Sequence, residues 1–149
     1  MAGTPQVVTP YICCNDAARA LEYYSKAFGA RELVRYTGKG GEIGHAEIEI
    51  EGGHIYVSDE WPEGGVFSPQ KYGGTSVSLH LLVADVDTLA ARAVAAGGTM
   101  ERVPRDEPYG QRAGVVRDPF GHRWFLATAV EEVSREELRR RMGDSYLIE

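Results

Sequence analysis

The chain has 149 residues, 43% hydrophobic and 26% charged, enough to bury a sizeable core without a metal or disulfide staple. Sixteen basic against 22 acidic residues give a formal charge of -6, and no basic cluster is interleaved with aromatics, which argues against nucleic acid as a partner. No segment approaches the roughly 18 apolar residues that span a bilayer, and the two cysteines, Cys13 and Cys14, are neighbours whose linkage would need a strained ring, so the expected setting is the reducing cytoplasm, away from membranes.

Residues 7–14 read as a strand, Asn15 or Asp16 caps a helix, and Ala17, Leu21, Tyr24 and Phe28 fall at helical spacing before Gly29 ends it. Three short extended runs follow, near 31–36, 43–50 and 54–58, separated by glycine-containing turns. Residues 61–74, rich in glycine and proline, have a linker's composition. The pattern then returns. A strand is predicted over 76–83, a helix capped by Asp85 or Asp87 and stopped by Gly97-Gly98, then runs near 99–104, 112–117 and 122–128. Ser134 and Glu137 form a capping box ahead of a last helix over 134–143, whose Arg139 to Arg141 run reads as a solvated face. The predicted organisation is a single domain spanning 1–149, with module one over 5–60, linker 61–74, module two over 75–129 and a C-terminal helix.

A single shift of 69 residues relates the two halves. It carries Val8 to Val77, Asp16 to Asp85, Gly29 to Gly98, Gly41 to Gly110 and Gly52 to Gly121. Each half is β-α-β-β-β, giving an α+β fold of two tandem βαβββ modules.

Strand parity assigns the faces. Val8, Ile12, Cys14, Ile55 and Val57 are expected to face the first helix, and Val77, Leu79, Leu81, Val83, Trp124 and Leu126 the second. Opposite lie Thr9, Tyr11, Cys13, His45, Glu47, Glu49, His54, Tyr56 and Ser58 in module one, and Ser78, His80, Arg123 and Phe125 in module two. Aromatic walls with a few polar groups are what small-molecule pockets use.

The stretches Thr9-Pro10-Tyr11, Asn15-Asp16-Ala17-Ala18, Phe28-Gly29-Ala30, Val83-Ala84-Asp85-Val86-Asp87 and Asp118-Pro119-Phe120-Gly121-His122-Arg123-Trp124 resemble the glyoxalase, bleomycin-resistance and extradiol-dioxygenase (vicinal oxygen chelate) superfamily, within it the PhnB-like branch, over about Val7 to Thr128. The resemblance implies an open, incomplete β-barrel and a homodimer, the modules pairing within one chain or between two. It leaves the reaction open, because this fold hosts metal-dependent enzymes and proteins that only sequester antibiotics. Carried across by register, the metal-ligand positions of metal-dependent members fall on Thr9, Tyr56, Ser78 and Phe125, none of them a good donor to a divalent ion. No metal and no cofactor is therefore expected.

Two functions compete. One is a metal-free binding protein for a small organic molecule, with Tyr11, Tyr56 and Phe125 stacking, His54, His80 and Arg123 making polar contacts, and Thr9, Ser78 and Glu47 completing the ligand-binding set. The other is a metal-independent acid–base enzyme of isomerase or lyase type with His80 as catalytic base. A metal-dependent glyoxalase-type lyase or dioxygenase ranks behind both. Cys13 is expected to be a structural rather than a reactive thiol.

Overall fold

The computed structural model describes residues 7–149, so the first two residues of the expected module one lie outside the described residues. The chain divides into two compact units between Gly74 and Thr75. Unit one runs β1 (Tyr11–Cys14), α1 (Ala17–Phe28), β2 (Arg31–Thr37), β3 (Ile43–Ile50) and β4 (Gly53–Asp59); unit two runs β5 (Ser78–Leu82), α3 (Val86–Ala95), β6 (Thr99–Asp106), β7 (Gln111–Arg117) and β8 (Arg123–Ala129), followed by α4 (Arg135–Met142). Each unit holds one open four-stranded mixed sheet, in the orders β1-β4-β3-β2 and β5-β8-β7-β6, whose first pair is parallel and the rest antiparallel. The α+β class and the two tandem βαβββ modules are as the sequence predicts.

The linker composition hides structure. Residues 61–74 carry a single 3-10 turn at Pro62–Gly64, a short helix α2 (Pro69–Tyr72) and a backbone bridge between Trp61 and Val66. Glu60 holds this segment to β4 by accepting from the Ser68 amide at 3.0 Å and the Ser68 hydroxyl at 2.5 Å. Ser68 is fully buried, and a buried hydroxyl needs such a partner.

Strand parity holds where strands are paired and fails where they are not. Ile12, Cys14, Ala46, Ile48, Ile55 and Val57 are buried on the α1 side, and Leu81, Trp124 and Leu126 on the α3 side. Val8 and Val77, expected in the core, are 98% and 60% exposed. They precede β1 and β5, which begin only at Tyr11 and Ser78, so no ladder fixes which way their side chains point.

α1 begins at Asp16, whose carboxylate accepts from the Arg19 amide. It ends in an αL cap, with Gly29 at φ 68° making the 5→1 bond to Ser25 and Ala30 donating to Tyr24. Its apolar face buries Leu21, Tyr24 and Phe28, each worth about 1.5–3 kcal/mol by removal from water. α3 repeats the start, since Asp85 accepts from the Thr88 amide. It does not repeat the end: Gly97, not Gly98, takes the positive φ, so the Gly29–Gly98 sequence match has no common geometry. Gly41 and Gly110 both sit at φ 91°, and Gly52 and Gly121 at 80° and 92°. The Ser134 half of the capping box forms, with Glu137 N donating to Ser134 Oγ at 3.1 Å. The Glu137 carboxylate pairs with Arg140 and Arg141 instead of reaching back, and Arg141 also pairs with Glu131, so Arg140 and Arg141 are tied into ion pairs while Arg139 donates to the Ile148 carbonyl.

One bond to the first amide fastens each helix to its sheet. Asp59, at the end of β4, accepts from the Ala17 amide at 2.7 Å and the Ile43 amide at 2.7 Å. Thr128, near the end of β8, accepts from the Val86 amide at 2.8 Å. These residues are related by the same 69-residue shift. Asp59→Ala leaves two amides without an acceptor and removes charge-assisted bonds, and is expected to cost about 3 kcal/mol, against about 1 kcal/mol for Thr128→Val, as read by urea unfolding.

Gly41 and Gly110 permit a matched comparison. A Cβ at Gly41 meets open space, whereas one at Gly110 collides with the Glu131 carbonyl and the Val133 side chain. Gly41→Ala is expected to cost about 1–2 kcal/mol from the positive φ alone, and Gly110→Ala distinctly more in the same unfolding assay, because the obstacle is backbone.

Candidate functional site

Because α1 covers one face of the first sheet, side chains of the other parity stay available on the opposite face. The register brings four strands' contributions into line: Tyr11 is level with Tyr56, Tyr56 with Glu47, Tyr36 with His45, and Glu49 with His54. The rings interlock. The His45 centroid lies 5.3 Å from that of Tyr11, 5.4 Å from Tyr36 and 4.9 Å from Tyr56, and Tyr11 meets Tyr56 edge-on at 5.5 Å. The Tyr11 hydroxyl is 2.8 Å from His45 Nδ1, and His45 Nε2 is 3.1 Å from Glu47 Oε1.

This cluster borders a cavity of about 630 Å³ lined by Tyr11, Ile12, Cys13, Glu42, Ile43, Gly44, Ser58, Asp59, Glu60, Trp61 and Val66. The volume lies within the range of small-molecule sites. Tyr11 and Trp61 are 56% and 61% exposed, so two aromatic rings stand open at the wall. The indole of Trp61 lies over Gly64, where any side chain would collide with it; the Trp61–Val66 bridge fixes the backbone beneath.

The cavity floor is weakly polar and negatively biased. Burial pushes the Cys13 thiol up to about 11, and the neighbouring Glu60 and Asp59 carboxylates push in the same direction, against a smaller opposing hydrogen bond from Ser58. Cys13 is therefore a protonated thiol at neutral pH, not a nucleophile. Burial, then Cys13, raises the Tyr11 phenol above its ordinary value. Hydrogen bonds from Ser68 hold Glu60 below the usual carboxylate range. Asp59 and Glu60 use their carboxylates structurally, as described above.

The structure treats the expected site residues unequally. Tyr11, Tyr56 and Glu47 come together. His54 stands on the same face, exposed, 3.5 Å from Glu49. Thr9 precedes β1. In unit two, Arg123 is engaged within the protein, its Nη1 donating to Ser78 Oγ at 2.6 Å and its Nε to Glu101 at 3.3 Å. His80 stacks on Phe125, centroids 5.1 Å apart and planes 19° apart, and the Arg102 guanidinium approaches the same ring at 5.1 Å. The cavity above is lined by unit-one residues, and His80 belongs to unit two.

His45, Trp61 and Glu101 were not singled out by sequence reasoning. Parity had placed His45 on the open face, but its partner Tyr11 lies 34 residues away, a distance that no periodicity bridges. Trp61 was absorbed into the linker.

The four positions carried across for metal ligands do not form level pairs across the strands. Thr9 and Tyr56 are not level, because Tyr56 pairs with Tyr11; Ser78 and Phe125 are not level either, because Ser78 pairs with Arg123 and Phe125 with His80. The level pairs are Tyr11–Tyr56 and His80–Phe125, and each is a ring-on-ring contact. One imidazole among three carbocyclic rings is not the donor set of a divalent ion. Among the described residues, no group of three or more His, Cys, Asp or Glu is disposed to hold one.

The chain is similar to known proteins over most of its length. An uncharacterised protein of Mycobacterium bovis is 41% identical over 139 residues, covering 91% of each chain. The crystal structure of TioX from Micromonospora superimposes with a TM-score of 0.67 at 29% identity, covering 85% of this chain and all of that one. A PhnB protein from Bacillus cereus shares the fold at 21% identity, with a TM-score of 0.61 over 83% of this chain and all of its own. The family model of the Glyoxalase/Bleomycin resistance protein/Dioxygenase superfamily matches residues 5–126, and with this fold and register behind it the chain belongs to that superfamily.

Proposed function

We propose that this protein binds a small, flat organic molecule in the cavity of unit one without the help of a metal ion. The observation that carries the reading is the pair of exposed rings, Tyr11 and Trp61, at the wall of a 630 Å³ cavity whose remaining surface is largely apolar. Exposed aromatic rings lose little freedom when a planar guest stacks on them. The donor chemistry at the level pairs argues against a metal in the binding step. Cys13 and Cys14 are buried thiols outside any disulfide, which fits a cytoplasmic protein, and the resemblance favours a homodimer.

The two tryptophans give this reading a direct assay. Trp61 is open, whereas Trp124 is 1% exposed with its indole N–H bonded to Asp118 at 2.9 Å. Fluorescence quenching by a flat nitroaromatic therefore reports on the cavity. Titration with 5-nitroindole is expected to quench Trp61 saturably, with the same Kd before and after treatment with a chelator. Tyr11→Ala should weaken binding about 10-fold, the equivalent of a ring contact of ~1.4 kcal/mol. Loss of binding after chelation, or stoichiometric divalent metal in the purified protein, would overturn the metal-free reading.

Cys13 supplies a second check. With its thiol held near 11, alkylation by iodoacetamide at pH 7.5 is expected to run about 300-fold slower than for a free cysteine, whose thiolate fraction at that pH is near one-tenth. Mass spectrometry of the labelled protein measures it; labelling at the free-cysteine rate would sink the assignment of Cys13 as a protonated wall residue.

A further inference from the structure

Tyr11, His45 and Glu47 form a hydrogen-bonded chain that starts at the cavity wall and runs away from it. Tyr11 lines the cavity, His45 stands behind its hydroxyl and Glu47 behind the imidazole. A carboxylate has no proton to give near neutral pH, so the hydrogen between His45 Nε2 and Glu47 sits on Nε2, and Nδ1 presents a lone pair to Tyr11. The phenol donates to Nδ1, and its oxygen remains able to accept from a guest.

The Gly44 carbonyl gives this chain a second state. Its oxygen lies 3.4 Å from the same phenol oxygen. When Nδ1 gains a proton, it donates to the phenol oxygen and the phenol hydrogen turns to the Gly44 carbonyl, which a few tenths of an ångström of ring movement brings into ordinary hydrogen-bond range. A bond that served only to hold a side chain in place would need one acceptor, not two. Tyr36 and Tyr56 bracket the imidazole and keep its plane fixed.

We propose that Tyr11, His45 and Glu47 are a proton relay that gives the protein a metal-independent acid–base activity toward a flat, neutral carbon or oxygen acid held in the cavity. The proposal rests on the binding reading above. In the forward step the guest's C–H or O–H proton passes to Tyr11 Oη while the Tyr11 hydroxyl proton passes to His45 Nδ1. The electron pair of the broken bond stays on the guest as an enolate or oxyanion, and His45 keeps its Nε2 hydrogen, donated to Glu47. The reverse step returns the proton, so the reactions served are isomerisations and eliminations, which need no oxidant. Tyr11 is the catalytic residue; His45 and Glu47 act through it as positioning and proton-accepting residues. Because burial holds the Tyr11 phenol above its ordinary value, the phenolate is not the resting state and the two transfers are coupled.

The probe is 5-nitrobenzisoxazole, which a general base opens by taking its one ring C–H proton as the N–O bond breaks, leaving a coloured nitrophenolate. Its unreactive isostere 5-nitroindole reports binding through Trp61. The wild-type protein is expected to open the ring above the buffer blank, with a curved proton inventory in mixed light and heavy water. Tyr11→Phe is expected to lose about 100-fold in rate while still quenching with 5-nitroindole. The titratable groups facing His45 are Tyr11 from β1, Tyr36 from β2, Glu47 from β3 and Tyr56 from β4, of which Glu47 is the one charged near neutrality. Glu47→Gln, which removes the carboxylate that accepts the His45 Nε2 hydrogen, is expected to slow ring opening. Quenching without ring opening in the wild type, or full activity in Tyr11→Phe, overturns the relay and leaves the binding reading standing; absence of quenching overturns the binding reading and the relay with it.

Discussion

The amide groups at the start of a helix have no helical carbonyl to bond, and this chain answers that need from the sheet. Asp59 and Thr128, each at the end of its unit's last strand, accept the first amide of α1 and α3, while Asp16 and Asp85 accept the amide two residues on. The consequence reaches the opposite surface. A helix pinned at its first residue to the end of β4 lies on one face of the sheet, and the side chains of the other parity are left to do something else. In unit one that remainder is Tyr11, Tyr56, His45 and Glu47. Asp59 has a second role, since its other oxygen takes the Ile43 amide and so closes the β3 end of the cavity wall.

What could be read from the sequence was whatever depends on near neighbours. The duplicated order of elements, the acidic caps and the burial of Ile12, Ile55, Trp124 and Leu126 follow from periods of two and 3.6 and from local turn chemistry. The misplaced residues share one feature: their environment is set by something distant. Val8 and Val77 look like core valines but lie ahead of any ladder. Gly98 matches Gly29 in sequence, yet α3 ends earlier and Gly97 makes the turn. Residues 61–74 have a loop's composition, and only the long-range bond from Ser68 to Glu60 shows that they are built onto the sheet.

The site was legible to the same degree. Parity found the face, and Tyr11, Tyr56 and Glu47 do meet on it. Hydrogen-bond partners were beyond reach, and they decide the chemistry. The Arg123 guanidinium is divided between Ser78 and Glu101, partners 45 and 22 residues away in the chain. His80 lies flat against Phe125, a ring contact that strand parity alone does not give. His45 gained its interest from Tyr11, 34 residues earlier in the chain.

The two units share a fold and have parted in chemistry, and the sheet register shows where. Glu47 lies beside Tyr56 in unit one, and the residue beside the equivalent Phe125 is Val115, one short of the 69-residue shift. Two positions earlier, where unit one has His45, unit two has the fully buried Ala113. The polar chain therefore has no counterpart in the second sheet, which spends the same positions on apolar packing and leaves its charges to Arg117, Arg123 and Glu101. Strand order, helix anchors and the positive-φ turns at Gly41 and Gly110 survive in both copies because each is required by the backbone. Side chains on the face away from the helix carry no such requirement. Unit one uses that freedom to line phenol, imidazole and carboxylate along a single hydrogen-bonded path, and the path ends at a cavity.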